Sequence, residues 1–104
     1  MNSINKIVEL VDQEYYFLKC KAAFEDCISQ EDNKYLLDEL EVPLKDIDLV
    51  NDFVNISFKS TLEGGFLIEV RINLLSKQKG VCLGYYLYQE DMHGEYLDEY
   101  LVFD

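Results

Sequence analysis

The feature that most constrains the fold is a change in hydrophobic period near residue 52. Before this point apolar residues recur at helical spacing, and one stripe is formed by Ile4, Ile7, Val8, Val11, Tyr15, Leu18 and Ala22. After it apolar and polar residues alternate, beginning with Val54, Ile56 and Phe58, which is the period of a half-buried strand. Helices followed by strands predict an α+β class.

Two helices are predicted before the change of period. The first covers residues 4–28 with Ser3 as its N-cap. Ser29 and Asp32 have the spacing of a capping box, with Asp in place of Glu, and predict a second helix that ends near Glu41. Residues 44–52 fit either a short helix or an irregular connection. A second apolar stripe widens the buried face of the first helix and consists of Leu10, Phe17, Phe24 and Cys27.

Four strands should follow, at residues 54–58, 66–74 and 81–89 and from Glu95 or Tyr96 to Phe103. Turn signals separate them at residues 63–65, 77–80 and 91–94, where four of the five glycines lie. Short connections imply antiparallel neighbours. We therefore expect one domain, residues 1–104, with N-terminal helices packed on one face of a four-stranded antiparallel meander sheet. The side chains expected to point inward are Ile56, Phe58, Ile68, Val70, Ile72, Leu83 and Leu87.

The cysteines and the N-terminus indicate a compartment. Three cysteines, an odd number, and a first segment without a secretory signal argue against a disulfide framework. The longest uncharged apolar stretch, residues 80–88, is too short to span a bilayer. We expect a cytoplasmic protein that has no membrane partner.

Residues that could support catalysis are few. His93 is the single histidine and lies in a polar turn. Cys20, Cys27 and His93 lack the spacing and the fourth ligand of a closed zinc site, so buried apolar cysteines are the preferred interpretation. No segment has the pattern of a calcium-binding EF-hand or of a phosphate-binding loop. The sequence therefore predicts no enzyme activity, no catalytic residue, no metal and no cofactor.

Charge is the most unusual property of the composition. The chain has 21 acidic and 9 basic residues, for a net charge of -12. This field disfavours binding to nucleic acids and attracts basic proteins. Ten acids lie between residues 25 and 52 against two lysines, and six lie between residues 90 and 104 without any Lys or Arg. Residues 53–89 are nearly balanced.

Aromatic residues accompany the second acidic cluster. Tyrosine offers a large, rigid contact area, and carboxylates steer and pair with Lys or Arg of a partner. The alternative is ordinary sheet packing, in which tyrosines bridge the core and the solvent. We adopt the hypothesis that these tyrosines and carboxylates bind a partner. The candidate partner-binding residues are Tyr86, Tyr88, Glu90, Asp91, Glu95, Tyr96, Asp98, Glu99 and Tyr100.

A short, acidic, cysteine-poor chain with N-terminal helices, an antiparallel sheet and no catalytic motif resembles the immunity proteins of bacterial toxin systems, especially contact-dependent growth inhibition. The resemblance covers the whole chain in character and includes no shared motif, so it assigns no residues. It implies binding to a cognate toxin domain, often a basic nuclease, whose active site or substrate surface is covered. We expect a monomer that forms a 1:1 complex with this basic protein partner.

Three other classes share some of these properties. Type III secretion chaperones are small and acidic but typically end in a helix and dimerise, whereas this chain is predicted to end in a strand. Frataxin-like proteins use tryptophan on the sheet face, and this chain has none. A nucleic-acid mimic needs carboxylates over a long surface. The nearly balanced charge of residues 53–89 argues against this class. A secretion chaperone for an effector protein and a nucleic-acid-mimic inhibitor remain the alternatives.

Overall fold

The computed structural model describes residues 12–40, 42–58 and 65–104. Its strands form one antiparallel sheet in the order β1-β2-β3-β4, and a helix contacts that sheet. This confirms the predicted α+β meander. The elements are helix α1 (Gln13–Ser29), a 3₁₀ turn (Glu31–Asn33), helix α2 (Lys34–Leu40), a 3₁₀ turn (Leu44–Asp46) and strands β1 (Ile47–Phe58), β2 (Phe66–Ser76), β3 (Cys82–Asp91) and β4 (Tyr96–Phe103).

Helix α1 begins at Gln13 because Asp12 caps it. The Asp12 carboxylate accepts a hydrogen bond from the backbone N–H of Tyr15 at 3.1 Å, which satisfies one of the free donors of the first turn. The predicted N-cap Ser3 and the apolar positions 4–11 lie outside the described residues.

The buried face of α1 differs from the main predicted stripe. Its buried side chains are Phe17, Cys20, Phe24 and Ile28, at the spacing of three or four that places residues on one helical face. Tyr15 and Leu18 are exposed, so the predicted stripe is wrong at these two positions. The neighbouring stripe, to which Phe17 and Phe24 belong, faces the sheet.

Helix α2 starts later than the Ser29 and Asp32 spacing predicts. Ser29 is the last residue of α1, and its hydroxyl donates to the carbonyl oxygen of Asp26 at 3.0 Å. The hydroxyl is therefore used to close α1, and a 3₁₀ turn separates the two helices. The second predicted helix exists but the capping box does not.

Strand β1 begins at Ile47, seven residues before the predicted alternation starts at Val54. The register with β2 shifts between Asn51 and Phe53, so Asp52 is the extra residue of a β-bulge. Ile47 points into the core before the bulge and Ile56 after it, at positions of opposite parity. Because of the bulge, the two halves of the strand do not share one alternating pattern, and the first half was not predicted.

The core lies between α1 and the sheet. The predicted inward residues Ile56, Ile68, Val70 and Ile72 are buried. Leu83 is partly buried and packs against this core. Phe58 is half exposed at the end of β1, and Leu87 of β3 is only partly buried on the opposite side of the sheet, so these two predictions are wrong. β3 turns its other parity inward, with Gly84, Tyr86, Tyr88 and Glu90 buried.

No helix among the described residues is long and apolar enough to cross a membrane. The three cysteines are unpaired, with Cys20 buried, Cys27 half-buried and Cys82 exposed.

Candidate functional site: the acidic and aromatic C-terminal hairpin

The structure separates the nine candidate partner-binding residues into four environments. Some lie beneath helix α1, some on the inward side of β4, some on its outward side and some in the β3–β4 turn. The grouping is set by the alternation of the two strands. A single flat partner surface cannot contact all of them.

Tyr86, Tyr88 and Glu90 are buried, with 0%, 6% and 2% of their surface exposed. The ring of Tyr86 meets the ring of Phe24 edge-on, with centroids 5.6 Å apart. A partner does not reach these side chains in this conformation, so the accessible part of the predicted binding surface consists of the other candidates. Tyr86, Tyr88 and Glu90 belong to the core because the even-numbered positions of β3 point towards α1.

On the inward side of β4, Glu99 joins two tyrosines. The hydroxyl of Tyr86 donates to Oε1 and the hydroxyl of Tyr96 donates to Oε2, each at 3.0 Å. Burial, and secondarily the Glu99 carboxylate, raises the pKa of Tyr86, and the same causes raise the pKa of the Cys27 thiol to about 12. These groups stay protonated at neutral pH, and the two tyrosine hydroxyls hold the Glu99 carboxylate in place.

On the outward side of β4, Asp98 orders its neighbours. Its Oδ2 accepts from the Tyr100 hydroxyl at 3.0 Å, and its Oδ1 accepts from the backbone N–H of Glu99 at 2.8 Å. Tyr100 remains 45% exposed. The ring is therefore fixed and accessible, which lowers the conformational entropy lost when a partner packs on it.

Strand β4 is an edge of the sheet, and its hydrogen-bonding pattern shows which backbone groups face outward. Asp104 N–H donates to Leu83 O at 2.9 Å, and the register then places Glu99, Leu101 and Phe103 at the non-hydrogen-bonded positions. Asp98 blocks the outward N–H of Glu99. A carboxylate on an edge donor is a way to discourage pairing with another strand.

Asp91 organises the turn between β3 and β4. Its Oδ1 accepts from the backbone N–H groups of Glu95 at 2.9 Å and His93 at 2.8 Å. The hydrogen bond from Glu95, with that from His93, lowers the pKa of Asp91. The main role of Asp91 is thus to stabilise the turn, whereas Glu95 is exposed and available to a partner.

The described residues include no group of three or more His, Cys, Asp or Glu side chains placed to hold a metal ion. His93 is exposed and lines a shallow depression with Gly65, Phe66, Asp91 and Met92. The carboxylate of Asp91, which lines the same depression, accepts hydrogen bonds from the backbone N–H groups of His93 and Glu95.

Of the nine candidates, the exposed ones are Glu95 in the turn, Tyr96 on the inward side of β4, and Asp98 and Tyr100 on its outward side. Sequence reasoning did not select Tyr85 or Phe53, which lie on the same side of the sheet as Tyr100. A signal for Tyr85 was present, since adjacent tyrosines on a strand face opposite ways. Comparison with family models, with curated proteins and with solved structures finds no match for the chain.

Proposed function

We propose that this chain is a cytoplasmic immunity protein, which binds a basic toxin domain and neutralises it by covering its active site or substrate surface. The observation that supports the proposal most is the surface of β4 and its turn. The Asp98 carboxylate accepts from the hydroxyl of the exposed Tyr100 on the outward side of β4, Tyr96 is exposed on the inward side, and Glu95 is exposed in the turn. Residues 90–104 contain no Lys or Arg.

Such a surface suits a tight inhibitor of a cationic protein. The net charge of -12 accelerates encounter with a basic partner by electrostatic steering. Once the two are in contact, rings already tied to carboxylates at 3.0 Å present rigid apolar area at low entropic cost. Speed of association and rigidity of contact are what neutralisation of a toxin requires.

The test is protection of cells from a toxin. The chain is expressed together with a candidate toxin domain, sought first at the C-terminus of any large exported protein encoded beside it, and growth is compared with that of cells expressing the toxin domain alone. We expect growth to be restored, and the purified proteins to form a 1:1 complex in which the toxin is inactive. Absence of both protection and complex would contradict the proposal.

A matched variant makes the growth test specific. Replacing Glu95 and Asp98 by lysine reverses two exposed charges, which by themselves contribute little to folding, and it also removes the hydrogen bonds of Asp98 to Tyr100 and Glu99. This variant should fold, as judged by circular dichroism, and protect less well. Full protection by this variant would show that β4 and its turn do not bind the toxin, and the proposal would lose its main support.

A further inference from the structure

The outward face of the sheet, defined here as the side of β1–β4 opposite helix α1, carries exposed apolar side chains beside its charged and polar ones. An antiparallel sheet with one solvated face ordinarily carries polar residues there. Here Val50, Phe53, Tyr100 and Val102 are 38–45% exposed, and the register places all four on this side. Leu36 of α2 packs against the core on the other side, as α1 does. Exposed apolar patches of this kind mark interaction surfaces.

The centre of the outward face is a rigid platform. The guanidinium carbon of Arg71 lies 3.8 Å from the centroid of the Tyr85 ring, and its Nε lies 3.1 Å from Oδ2 of Asp52. Asn73 accepts from Arg71 and donates to Asp52, each at 3.2 Å. Arg71 is therefore stacked and paired, and its charge is locally compensated.

The charge of the outward face is negative. Arg71 is the single cation among the described residues that the register places on this side. The carboxylates on the same side belong to Asp48, Asp52, Glu69 and Asp98. Two surfaces of this kind repel each other, so a second copy of the chain is a poor occupant.

We propose that the outward face is the docking surface, and that its occupant is a cationic protein with apolar or aromatic side chains at the centre of its contact. Lysines or arginines around that centre would meet Asp48, Glu69 and Asp98, while the centre would pack on Phe53, Tyr85 and Tyr100. The inference deepens the proposed function and rests on it in taking the partner to be the basic toxin domain.

The occupant packs on the face and does not extend the sheet at its edge. The outward N–H of Glu99 on β4 is already bonded to Asp98, which disfavours addition of a strand there. The apolar residues also lie across the sheet, from Val50 and Phe53 on β1 to Tyr100 and Val102 on β4. An interface centred on the face buries them together, as the central cluster of a protein interface requires.

The experiment is an NMR titration of the full ¹⁵N-labelled chain with a short synthetic peptide in which arginine alternates with leucine. A peptide with glutamate in place of arginine is the control probe. We expect the largest shift changes at the amides of Phe53, Tyr85, Leu87 and Tyr100, with smaller changes along both helices. The glutamate peptide should produce none.

Two variants with the same change in charge locate the site. Asp48→Lys with Asp98→Lys should weaken peptide binding about tenfold, equivalent to about 1.4 kcal/mol, whereas Asp38→Lys with Glu39→Lys on α2 should weaken it less than about threefold, since only long-range attraction is lost. Equal losses, shift changes centred on the helices, or no binding would overturn the inference. A stable dimer of the free chain in sedimentation equilibrium, abolished by Phe53→Ser, would also overturn it.

The growth test separates this inference from the proposed function. If the chain protects cells while the peptide and the variants map to the helices, the function stands and the outward face is not its docking surface. If the peptide maps to the outward face while no toxin domain is neutralised, the docking surface stands and the immunity role fails.

Discussion

Lys19 of helix α1 and Glu90 of strand β3 form an ion pair across the helix–sheet interface, with Nζ 2.9 Å from Oε1 and the Glu90 side chain only 3% exposed. The hydrogen bond to Glu90 raises the pKa of Lys19. The pair fixes the position of α1 over β3, because a carboxylate this deeply buried must keep its partner.

Removing one member of this pair should destabilise the fold. Lys19→Met leaves the Glu90 carboxylate buried and unpaired, and we expect a loss of about 2 to 4 kcal/mol in the free energy of unfolding. The double variant Lys19→Met with Glu90→Leu should recover most of it. Urea denaturation provides the measurement, and Lys21→Met is the control, since Lys21 forms no ion pair with the described residues. Equal effects at Lys19 and Lys21 would show that the pair contributes nothing.

Stability should fall at alkaline pH. Burial raises the pKa of the thiols of Cys20 and Cys27 to about 12, and also raises the pKa of Tyr86. Above about pH 9 the unfolded chain loses these protons while the folded chain retains them. The folded state then binds more protons, so stability decreases as pH rises. The raised pKa of Lys19 acts in the same direction.

The measurement is the urea midpoint between pH 7 and 11, followed by far-ultraviolet circular dichroism. Tyr86→Phe and Cys20→Ala each remove one buried group that resists ionisation. In each variant the urea midpoint should therefore fall less between pH 7 and pH 11 than it does in the unmodified chain. A midpoint that is constant up to pH 11 would contradict the prediction.

Two apolar substitutions distinguish core from surface on neighbouring strands. Ile68→Ala should cost roughly 2 to 5 kcal/mol because Ile68 is 5% exposed. Phe58→Ala should cost about 1 kcal/mol or less, since Phe58 is half exposed and packs mainly on Phe66, with centroids 5.8 Å apart. Chemical denaturation of both variants provides the check, and similar losses would mean that Phe58 is core after all.

The contrast between β2 and its neighbours shows what the sequence could predict. From Ile68 to Leu74 the buried and partly buried residues of β2 alternate, and Ile68, Val70 and Ile72 point inward as predicted. β1 contains a bulge at Asp52, and one extra residue reverses the alternation. Its first half was therefore missed.

The candidate site was harder to predict than the fold because both faces of β3 are suited to burial. Leu87 on one parity and Tyr86 on the other are equally able to enter a core, and alternation alone does not choose between them. Glu90 is buried only because Lys19, 71 positions earlier in the chain, reaches it. No local pattern contains that information.

Gly84 should tolerate no side chain. Its φ is +150°, and a Cβ there would lie 2.0 Å from the carbonyl oxygen of Val102 on β4. Gly84→Ala must push β4 away from β3 and should cost about 2 to 4 kcal/mol. Gly80→Ala is the matched control, because Gly80 also has positive φ but open space around it. Thermal denaturation should show the larger loss at Gly84, and the reverse order would refute the strand contact.

Charge reversal on β4 should change the rate of association with the toxin domain more than the rate of dissociation. Asp98→Lys with Glu95→Lys removes exposed carboxylates that steer a basic partner, so association should slow and its dependence on salt should weaken. Glu90 is unsuitable for this test, because a lysine there would face Lys19 in a buried site and unfold the chain.

Stopped-flow mixing at two salt concentrations measures these rates. The matched control is Asp38→Lys with Glu39→Lys on α2, which changes the charge by the same amount at exposed positions. If both pairs slow association equally, the partner responds only to total charge. If the α2 pair abolishes binding while the β4 pair has no effect, the interface belongs to the helical side, because short-range contacts and not net charge determine the lifetime of a complex.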